Sequence, residues 1–193
     1  MSKRIALFSA AAFAALALTA AVVAPVSAQD KMKSEMSGEK TVMVGGAAMF
    51  PSKNIIQNAV NSKDHTTLVA AVNAAGLVET LEGKGPFTVF APTNAAFGKL
   101  PAGTVDTLVK PENKPTLTKI LTYHVVPGRL EASSLTDGKK LKTVEGEELT
   151  VKKSGGTVTI VDAKGGSSTV TIPNVNQSNG VIHVVDTVLM PAS

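Results

Sequence analysis

The chain has 193 residues, of which 19 are lysine or arginine and 15 are aspartate or glutamate, and its formal net charge is +4. Without cysteine it cannot rely on disulfides, so an ordinary hydrophobic core must hold it together. No tryptophan and only one tyrosine are present, and the lysines are scattered, so nucleic acid is not an expected partner.

The start of the chain has the pattern of a signal peptide, residues 1–28. A basic start at Lys3 and Arg4 precedes an almost uncharged stretch, and small residues then offer a cleavage site near Ala28–Gln29. Export to the periplasm or the medium is therefore expected. A membrane anchor is the alternative, since about 18 apolar residues can span a bilayer. Pro25 and the cleavage-like site favour removal, which leaves no integral membrane protein.

Residues 29–49 are predicted to be a flexible leader. They mix Lys, Glu, Ser and Gly without a sustained apolar period, so burial cannot offset the entropy of ordering them. Thioethers bind copper(I), which makes a copper-binding leader the alternative. Its methionines would be Met32, Met36, Met43 and Met49. Because no histidine or cysteine joins them, a linker is favoured, no metal is expected, and the folded domain is expected over residues 50–193.

The first half of that domain has helical spacing with one strand inside it. Apolar residues three and four apart predict four short helices, near residues 55–60, 64–75, 101–109 and 116–121. Phe87–Phe90 is β-branched and aromatic, which predicts a strand. Thr93 or Asn94 can cap a further helix directly after it.

The second half is almost wholly of β character. Tyr123–Gly128 is predicted to be a strand closed by a Pro-Gly turn. Further segments of strand length are separated by glycine-containing turns. They cover residues 141–144, 149–152, 158–161, 169–172 and 181–188. Helices first and a β-meander last predict an α+β fold and argue against βαβ units.

Three stretches of the chain match the motifs of one known family. Residues 87–97 resemble the first signature of fasciclin (FAS1) domains, residues 179–189 resemble the second, and Tyr123-His124 matches the Tyr-His motif between them. The resemblance covers residues 52–191. It implies a fasciclin-type wedge, in which a two-sheet β-sandwich of about seven strands has several short helices packed alongside.

Most residues of these motifs are predicted to maintain the fold. Large apolar side chains are usually inside, and an Asn-Gly pair favours a turn. The residues with this structural role are Phe90, Pro92, Thr93, Asn94, Phe97, Asn179, Gly180, His183 and Asp186.

The histidines allow two interpretations. His124 and His183 lie in apolar stretches, so the simpler one is a buried ring bonded to a backbone carbonyl or to a neighbour such as Asp186 or Tyr123. The alternative, implied by the resemblance, is that Tyr123 and His124 contact a partner. His65 is expected at an exposed helix start. No close cluster of metal-ligating residues accompanies these histidines, which argues against a metal site.

Catalytic signatures are not found in the sequence. It contains no Gly-x-Ser-x-Gly, His-Glu-x-x-His or phosphate-binding loop and no cysteine nucleophile. Glu145, Glu147 and Glu148 flank Gly146 in an expected loop, where a solvated cluster is favoured over a glycosidase pair. No catalytic residue, cofactor or enzymatic activity is expected.

The resemblance and the export signal together predict a binding module for cell adhesion or for contact with an envelope or matrix macromolecule. The chain lacks Arg-Gly-Asp, so integrin-type adhesion does not follow from the resemblance. The alternative is a carrier of an apolar small molecule such as a pigment or lipid. It is suggested by the 44% apolar composition and by pigment-binding members of the family.

Overall fold

The computed structural model describes residues 40–192 of the chain. The predicted signal peptide and residues 29–39 of the predicted leader lie outside the described residues. Among the helices that are described, none has both the length and the apolar character needed to cross a bilayer.

Six short α-helices make up the helical layer within the described residues. They are α1 (Ile55–Ala59), α2 (Thr66–Ala75), α3 (Val78–Glu82), α4 (Asn94–Gly98), α5 (Thr104–Leu108) and α6 (Lys114–Tyr123). Local signals fix their ends: Asn54 and Gln57 form a reciprocal capping box at the start of α1, and Gly76 ends α2 in the left-handed conformation. Each of the four predicted helical segments overlaps one of these helices, and α4 directly follows the strand predicted at Phe87–Phe90, as expected.

Nine strands are formed in the same part of the chain. They are β1 (Val42–Val44), β2 (Ala47–Met49), β3 (Phe87–Pro92), β4 (Val125–Pro127), β5 (Lys140–Lys142), β6 (Glu148–Ser154), β7 (Thr157–Val161), β8 (Ser167–Gln177) and β9 (Gly180–Val185). Strands β1 and β2 form a separate hairpin, and the other seven hydrogen bond in the order β4-β3-β9-β8-β7-β6-β5. Among these nine strands of the described residues, β3 and β9 are the only pair that runs parallel. The α+β prediction is therefore confirmed.

The seven-stranded sheet folds over until its edges almost meet. Long strand β8 pairs with β9 on one side and β7 on the other, and its register shifts between Val170 and Val175. At the open side, the amide of Val144 donates to the carbonyl of Val125 at 2.8 Å. The sheet thus forms two facing halves that are continuous through β8.

Central strands β3 and β9 supply side chains to two different cores. Phe90 and Val185 point into an inner core between the two sheet halves, where they join apolar residues of β5, β6 and β7. Val89 and Val184 point the other way, into an outer core shared with the helices and the β1–β2 hairpin. All six residues of β9 are buried, as expected for a parallel strand covered on both faces.

One predicted strand begins later than expected. Tyr123 is the last residue of helix α6, and His124 is the residue that caps it, with its amide donating to the carbonyl of Leu121 at 3.1 Å. Strand β4 begins only at Val125. Leu121 and Tyr123 both belong to the helix, and both side chains are buried. The prediction of a strand over Tyr123–Gly128 is therefore wrong at its start.

The predicted leader of residues 29–49 contains ordered structure at its end. Strands β1 and β2 meet in a turn at Gly45–Gly46, and Val44 and Met49 are buried in the outer core. Burial of these two side chains offsets the entropy of ordering the hairpin. The folded unit thus begins before the predicted boundary at residue 50.

The close approach of β9 to β3 generates a stability prediction. A Cβ added at Gly180 would overlap the carbonyl oxygen of Phe87, which is backbone of the paired strand. We expect Gly180→Ala to lower the free energy of unfolding by about 1–3 kcal/mol, because the two central strands must move apart. Urea denaturation measures this change.

Gly98 provides the matched control. A Cβ there meets nothing within 4 Å, so Gly98→Ala should leave stability unchanged or slightly increased. Equal stability of the Gly180→Ala protein and the wild type would contradict the close packing of β3 on β9.

Candidate functional site

The three family-motif stretches converge on the centre of the sheet. Phe90 pairs in register with His183, and their rings stack with centroids 5.7 Å apart. The amide of Phe90 donates to the carbonyl of His124 at 2.9 Å. Residues far apart in sequence therefore meet in one buried cluster, which we call the motif cluster (Phe90, Tyr123, His124 and His183).

His124 is held entirely by backbone groups. Its Nδ1 lies 2.8 Å from the carbonyl oxygen of Ile120 and donates to it, while Nε2 accepts from the amide of Leu189 at 2.9 Å. Burial lowers the pKa of His124 to about 4, against the smaller opposing effect of the Ile120 carbonyl. The ring is thus neutral near pH 7 and braces helix α6 against the C-terminal segment.

His183 has the opposite tautomer in a similar setting. Its Nδ1 accepts from the amide of Asn174 at 3.3 Å, and Nε2 donates to the carbonyl of Leu130 at 2.7 Å. Burial lowers the pKa of this ring as well. A backbone carbonyl or a neighbouring side chain, Asp186 or Tyr123, was predicted as the partner of each ring. Both rings bond to backbone groups, and neither bonds to Asp186 or Tyr123.

Tyr123 ties the helical layer to the far half of the sheet. Its side chain is fully buried, and its hydroxyl accepts from the amide of Ala163 at 2.9 Å and donates to the carbonyl of Glu148 at 3.4 Å. Burial raises the pKa of the phenol, so the hydroxyl stays protonated. Tyr123 and His124 therefore lie inside the fold, where their side chains do not meet the surface that a partner would touch.

The turn after β3 carries the remaining residues of the first signature. Pro92 ends β3, and the hydroxyl of Thr93 caps α4 by accepting from the amide of Ala96 at 3.2 Å. Asn94 reaches across to the start of α2, where it accepts from the amide of Thr67 and donates to the carbonyl of Lys63. Phe97 is buried in the outer core.

Asn179 and Gly180 lock the start of β9. The Asn179 side chain accepts from the amide of Ile55 at 3.1 Å and donates to the carbonyls of Leu81 and Gly83 at 2.6 Å and 2.9 Å. It thereby joins α1, α3 and β9 in one hydrogen-bonded junction. The Asn-Gly pair thus does more than form a turn.

Asp186 performs a similar task at the other end of β9. Its carboxylate accepts from the amide of Thr169 at 2.8 Å and lies 3.5 Å from Nζ of Lys99. Burial raises the pKa of Asp186, but these contacts and the Thr187 hydroxyl outweigh that effect and leave the pKa below its usual value.

His65 occupies a different position from the one expected. It is buried, with 3% of its surface exposed, so the prediction of an exposed helix start is wrong. Its Nδ1 lies 2.9 Å from Oγ of Ser62. Burial lowers the pKa of His65, although the Ala91 backbone acts on the ring in the other direction. The ring therefore has the Ala91 backbone as a hydrogen-bonding neighbour in addition to the Ser62 hydroxyl.

The side chains that carry catalysis or bind metals are dispersed. Among residues 40–192, no three histidine or acidic side chains approach closely enough to hold a metal ion. Glu145, Glu147 and Glu148 were predicted to form a solvated cluster, but each makes a contact within the fold. Glu145 pairs with Lys119 at 3.4 Å, Glu147 accepts from the amide of Ala192, and Glu148 pairs with Lys140 at 3.3 Å.

The sequence analysis did not identify two features, the buried Ser62–His65 pair and the row of lysines on β5 and β6. The Ser62-x-x-His65 spacing places two polar side chains beside an apolar helix, which is a signal for a buried polar pair. The alternation Lys140-x-Lys142, followed by Lys152 in the next strand, is a signal for a charged sheet face. Both features can be recognised only when the positions of the neighbouring helices and strands are known.

The neutral histidine at position 124 makes stability depend on pH. In the unfolded chain its pKa is about 6.5, so between about pH 6.5 and the folded pKa of about 4 the unfolded state binds the extra proton. The free energy of unfolding should therefore fall as the pH falls through this window, by about 3 kcal/mol for His124 alone. Above pH 6.5 this contribution is fully present.

Urea denaturation of the wild type and of His124→Gln at several pH values measures this effect. The variant is expected to be less stable at pH 7, and its disadvantage should shrink toward pH 4.5 because glutamine does not titrate. A difference between the two proteins that stays constant over this range would contradict a neutral, buried His124.

Known proteins share both the sequence and the architecture described above. The Fasciclin domain model matches residues 63–191, more than half of the chain. Protein sll1483 of Synechocystis sp. is 50% identical over 153 residues, which cover 79% of this chain and 82% of that protein. Cell surface glycolipoprotein MPB83 of Mycobacterium bovis is 39% identical over 153 residues, covering 77% of this chain and 64% of that protein.

A solved structure shows the same fold. It is a FAS1 domain pair from the insect cell adhesion molecule fasciclin I, with a TM-score of 0.65 and 17% identity. The match covers 79% of this chain and 58% of that one. The predicted fasciclin-type architecture is thereby confirmed. By its sequence and its fold, the chain belongs to the fasciclin domain family.

Proposed function

We propose that this protein is an exported envelope-binding module that engages an acidic polysaccharide through one exposed face of its sheet. The export part of the proposal is supported by the signal-peptide pattern of residues 1–28. The binding part is supported by the positions of unpaired lysines on strands β5 and β6. A surface role is in keeping with the relative whose name describes a cell surface glycolipoprotein.

The face in question consists of the outward side chains of β5, β6 and β7, and we call it the lysine face. Its members are Lys140, Lys142, Glu148, Thr150, Lys152 and Thr159. Alternation sets this pattern, because the residues between them, such as Leu141 and Val151, are buried in the inner core. The register places Lys140 beside Thr150 and Lys152 beside Thr159.

The charges of this face are only partly neutralised. Glu148 pairs with Lys140 at 3.3 Å, whereas Lys142 and Lys152 have no ion pair within the described structure. Lys152 also lines an open groove with Thr150, Thr159 and Asp137. The ammonium groups of Lys142 and Lys152, with the threonine hydroxyls beside them, match the carboxylates and hydroxyls of an acidic polysaccharide. Repeated contacts along such a polymer can compensate for the weakness of each exposed ion pair.

The motif cluster supports this face from the inside. The Tyr123 hydroxyl bonds to the backbone of Glu148 in β6 and of Ala163 beyond β7. These contacts hold the strands that carry the lysines. In the proposal, Tyr123 and His124 therefore have a positioning role, and the alternative in which they contact a partner is not used.

Charge reversal on the lysine face tests the proposal. The double variant Lys142→Glu/Lys152→Glu should bind immobilised alginate, a polyuronate, on the order of tenfold more weakly than the wild type, because two attractions become repulsions. Binding of the wild type should weaken with added salt, since exposed charges are screened. Surface plasmon resonance at several salt concentrations measures both effects.

The control carries the same change of charge elsewhere. Lys84 and Lys110 are exposed on the helical side of the chain, outside strands β5–β7, and Lys84→Glu/Lys110→Glu should retain wild-type binding. Unchanged binding of the Lys142→Glu/Lys152→Glu protein, or no binding of alginate by the wild type, would overturn the proposed function.

A further inference from the structure

An open pocket lies on the inner side of the β6–β7 hairpin, next to the groove of the lysine face. The volume of this pocket is about 340 Å³, and that of the groove is about 610 Å³. A cavity of about 150 Å³ already admits a benzene-sized ring. Each of the two openings therefore has room for at least one sugar ring.

The groove and the pocket share a wall, which is the end of the hairpin. Lys153 and Thr157 border both openings. Successive residues of a strand point to opposite faces, so Lys152 belongs to the outer face and Lys153 to the inner one. The register agrees, since Lys153 pairs with Val158, a residue of the inner core. Two consecutive lysines thus serve the two sides of one strand end.

Positive charge predominates along this wall. Lys152 and Lys153 are both exposed, and neither has an ion pair within the described residues. Asp137 is the acidic residue that borders the groove, and its carboxylate accepts from the amide of Lys153 at 2.8 Å. The pocket is lined by one charged residue of the described chain, Lys153. A ligand carboxylate in the pocket therefore meets a cation and no acidic side chain of the lining.

The rest of the pocket combines apolar and hydroxyl groups. Its apolar part is formed by Val158, Val170 and Pro173, and its hydroxyls include those of Ser133 and Thr157. A sugar ring has the same division, because C–H groups cover its faces and hydroxyls surround its rim. With the cation of Lys153 added, the pocket suits a uronate ring better than a purely apolar ligand.

A histidine of the motif cluster fixes two walls of the pocket. Nε2 of His183 donates to the carbonyl of Leu130, and Nδ1 accepts from the amide of Asn174 in β8. The side chain of Asn174 in turn accepts from the amide of Ala132, a residue of the lining, at 2.7 Å. The segment after β4 and strand β8 are thus hydrogen bonded to each other beside the pocket, which keeps the opening in shape.

The turn between the two openings carries no side chain. It is formed by Gly155 and Gly156, both with positive φ, and a Cβ at either one would meet nothing within 4 Å. A polymer can therefore cross this turn from the groove to the pocket. A polyuronate has a carboxylate on each sugar, so neighbouring sugars of one chain can meet Lys152 and Lys153.

We propose that the acidic polysaccharide extends from the lysine face over the Gly155–Gly156 turn into this pocket, which is a second sugar subsite with Lys153 as the partner of the carboxylate. This inference rests on the proposed function, because it takes the same polymer as the ligand. It adds that one polymer chain contacts both faces of the β6–β7 hairpin.

Two variants test the subsite with an alginate octasaccharide as the probe. Lys153→Gln removes the charge, and Ser133→Phe fills the pocket without changing any charge. Lys153→Gln should weaken binding about threefold to fivefold, near the upper end of what one exposed ion pair contributes. Ser133→Phe should weaken binding at least as much, because the sugar then has no room. Isothermal titration calorimetry measures the affinities.

Each variant has a matched control. Lys164→Gln makes the same change of charge beyond the other end of β7, and Ser134→Phe adds the same ring at an exposed neighbour of Ser133 that does not line the pocket. Both control proteins should bind the octasaccharide as tightly as the wild type does.

Chemical-shift mapping of the wild type covers the case in which a variant does not fold. The octasaccharide should shift the amides of Gly156 and Val170 at the pocket as well as that of Lys152 on the lysine face. Unshifted amides at the pocket, or unchanged affinity in either folded variant, would overturn the subsite. If Lys142→Glu/Lys152→Glu still loses alginate binding in that case, the proposed function stands without the subsite, whereas a wild type that binds no uronate overturns both.

Discussion

The parallel pairing of β3 with β9 is the interaction on which the rest of the structure depends. Each strand has apolar layers on both faces, so alternate side chains serve the inner and the outer core. The two backbones approach so closely at Gly180 that a methyl group has no room. Asn179 and Asp186 then fix the two ends of β9 to the helices and to β8. Removing any of these contacts would disturb both cores together.

The same arrangement explains why the polar residues of the family motifs are buried. His183 lies in β9 and His124 lies beside β3, and desolvation there lowers the pKa of each ring and keeps it neutral. In that state each ring can donate from one nitrogen and accept at the other, which suits a bridge between backbone groups. Tyr123 does the same with one hydroxyl. The motifs therefore build the scaffold, and recognition falls to surfaces and cavities that the scaffold leaves available.

The lysine face is one such surface. It is hydrophilic and its exposed charges are screened by salt, which suits a charged polymer. It lies on β5–β7, on different elements from the layer of α1, α2 and the hairpin, so its side chains can change without rebuilding the outer core.

Much of the fold followed from the sequence because periodicity and turn residues report local structure directly. The alternation around Leu149 and Val151 gave β6, and the three- and four-residue spacing around Leu68 and Val72 gave α2. Positions whose secondary structure depends on tertiary contacts were harder to predict.

Tyr123 and His124 precede β-branched residues and look like strand, yet α6 extends through Tyr123 because its end packs on both cores. The hairpin at residues 42–49 is too short to be stable alone and forms because Val44 and Met49 cover the outer core. The candidate sites were harder to predict than the fold, because they depend more on such tertiary contacts. The Ser62-x-x-His65 spacing hints at a polar pair, but the burial of His65 depends on the docking of the hairpin against the segment that holds it.

Native-state hydrogen exchange of backbone amides tests the central role of the β3–β9 pair most directly. The amides of Val89, Phe90, Ile182 and Val184 should exchange only through global unfolding, with a protection free energy equal to that from urea denaturation, while those of β5 should exchange through smaller openings. Exchange in β3 and β9 as fast as in β5 would contradict the account, because the pair could then open while the rest of the domain stays folded.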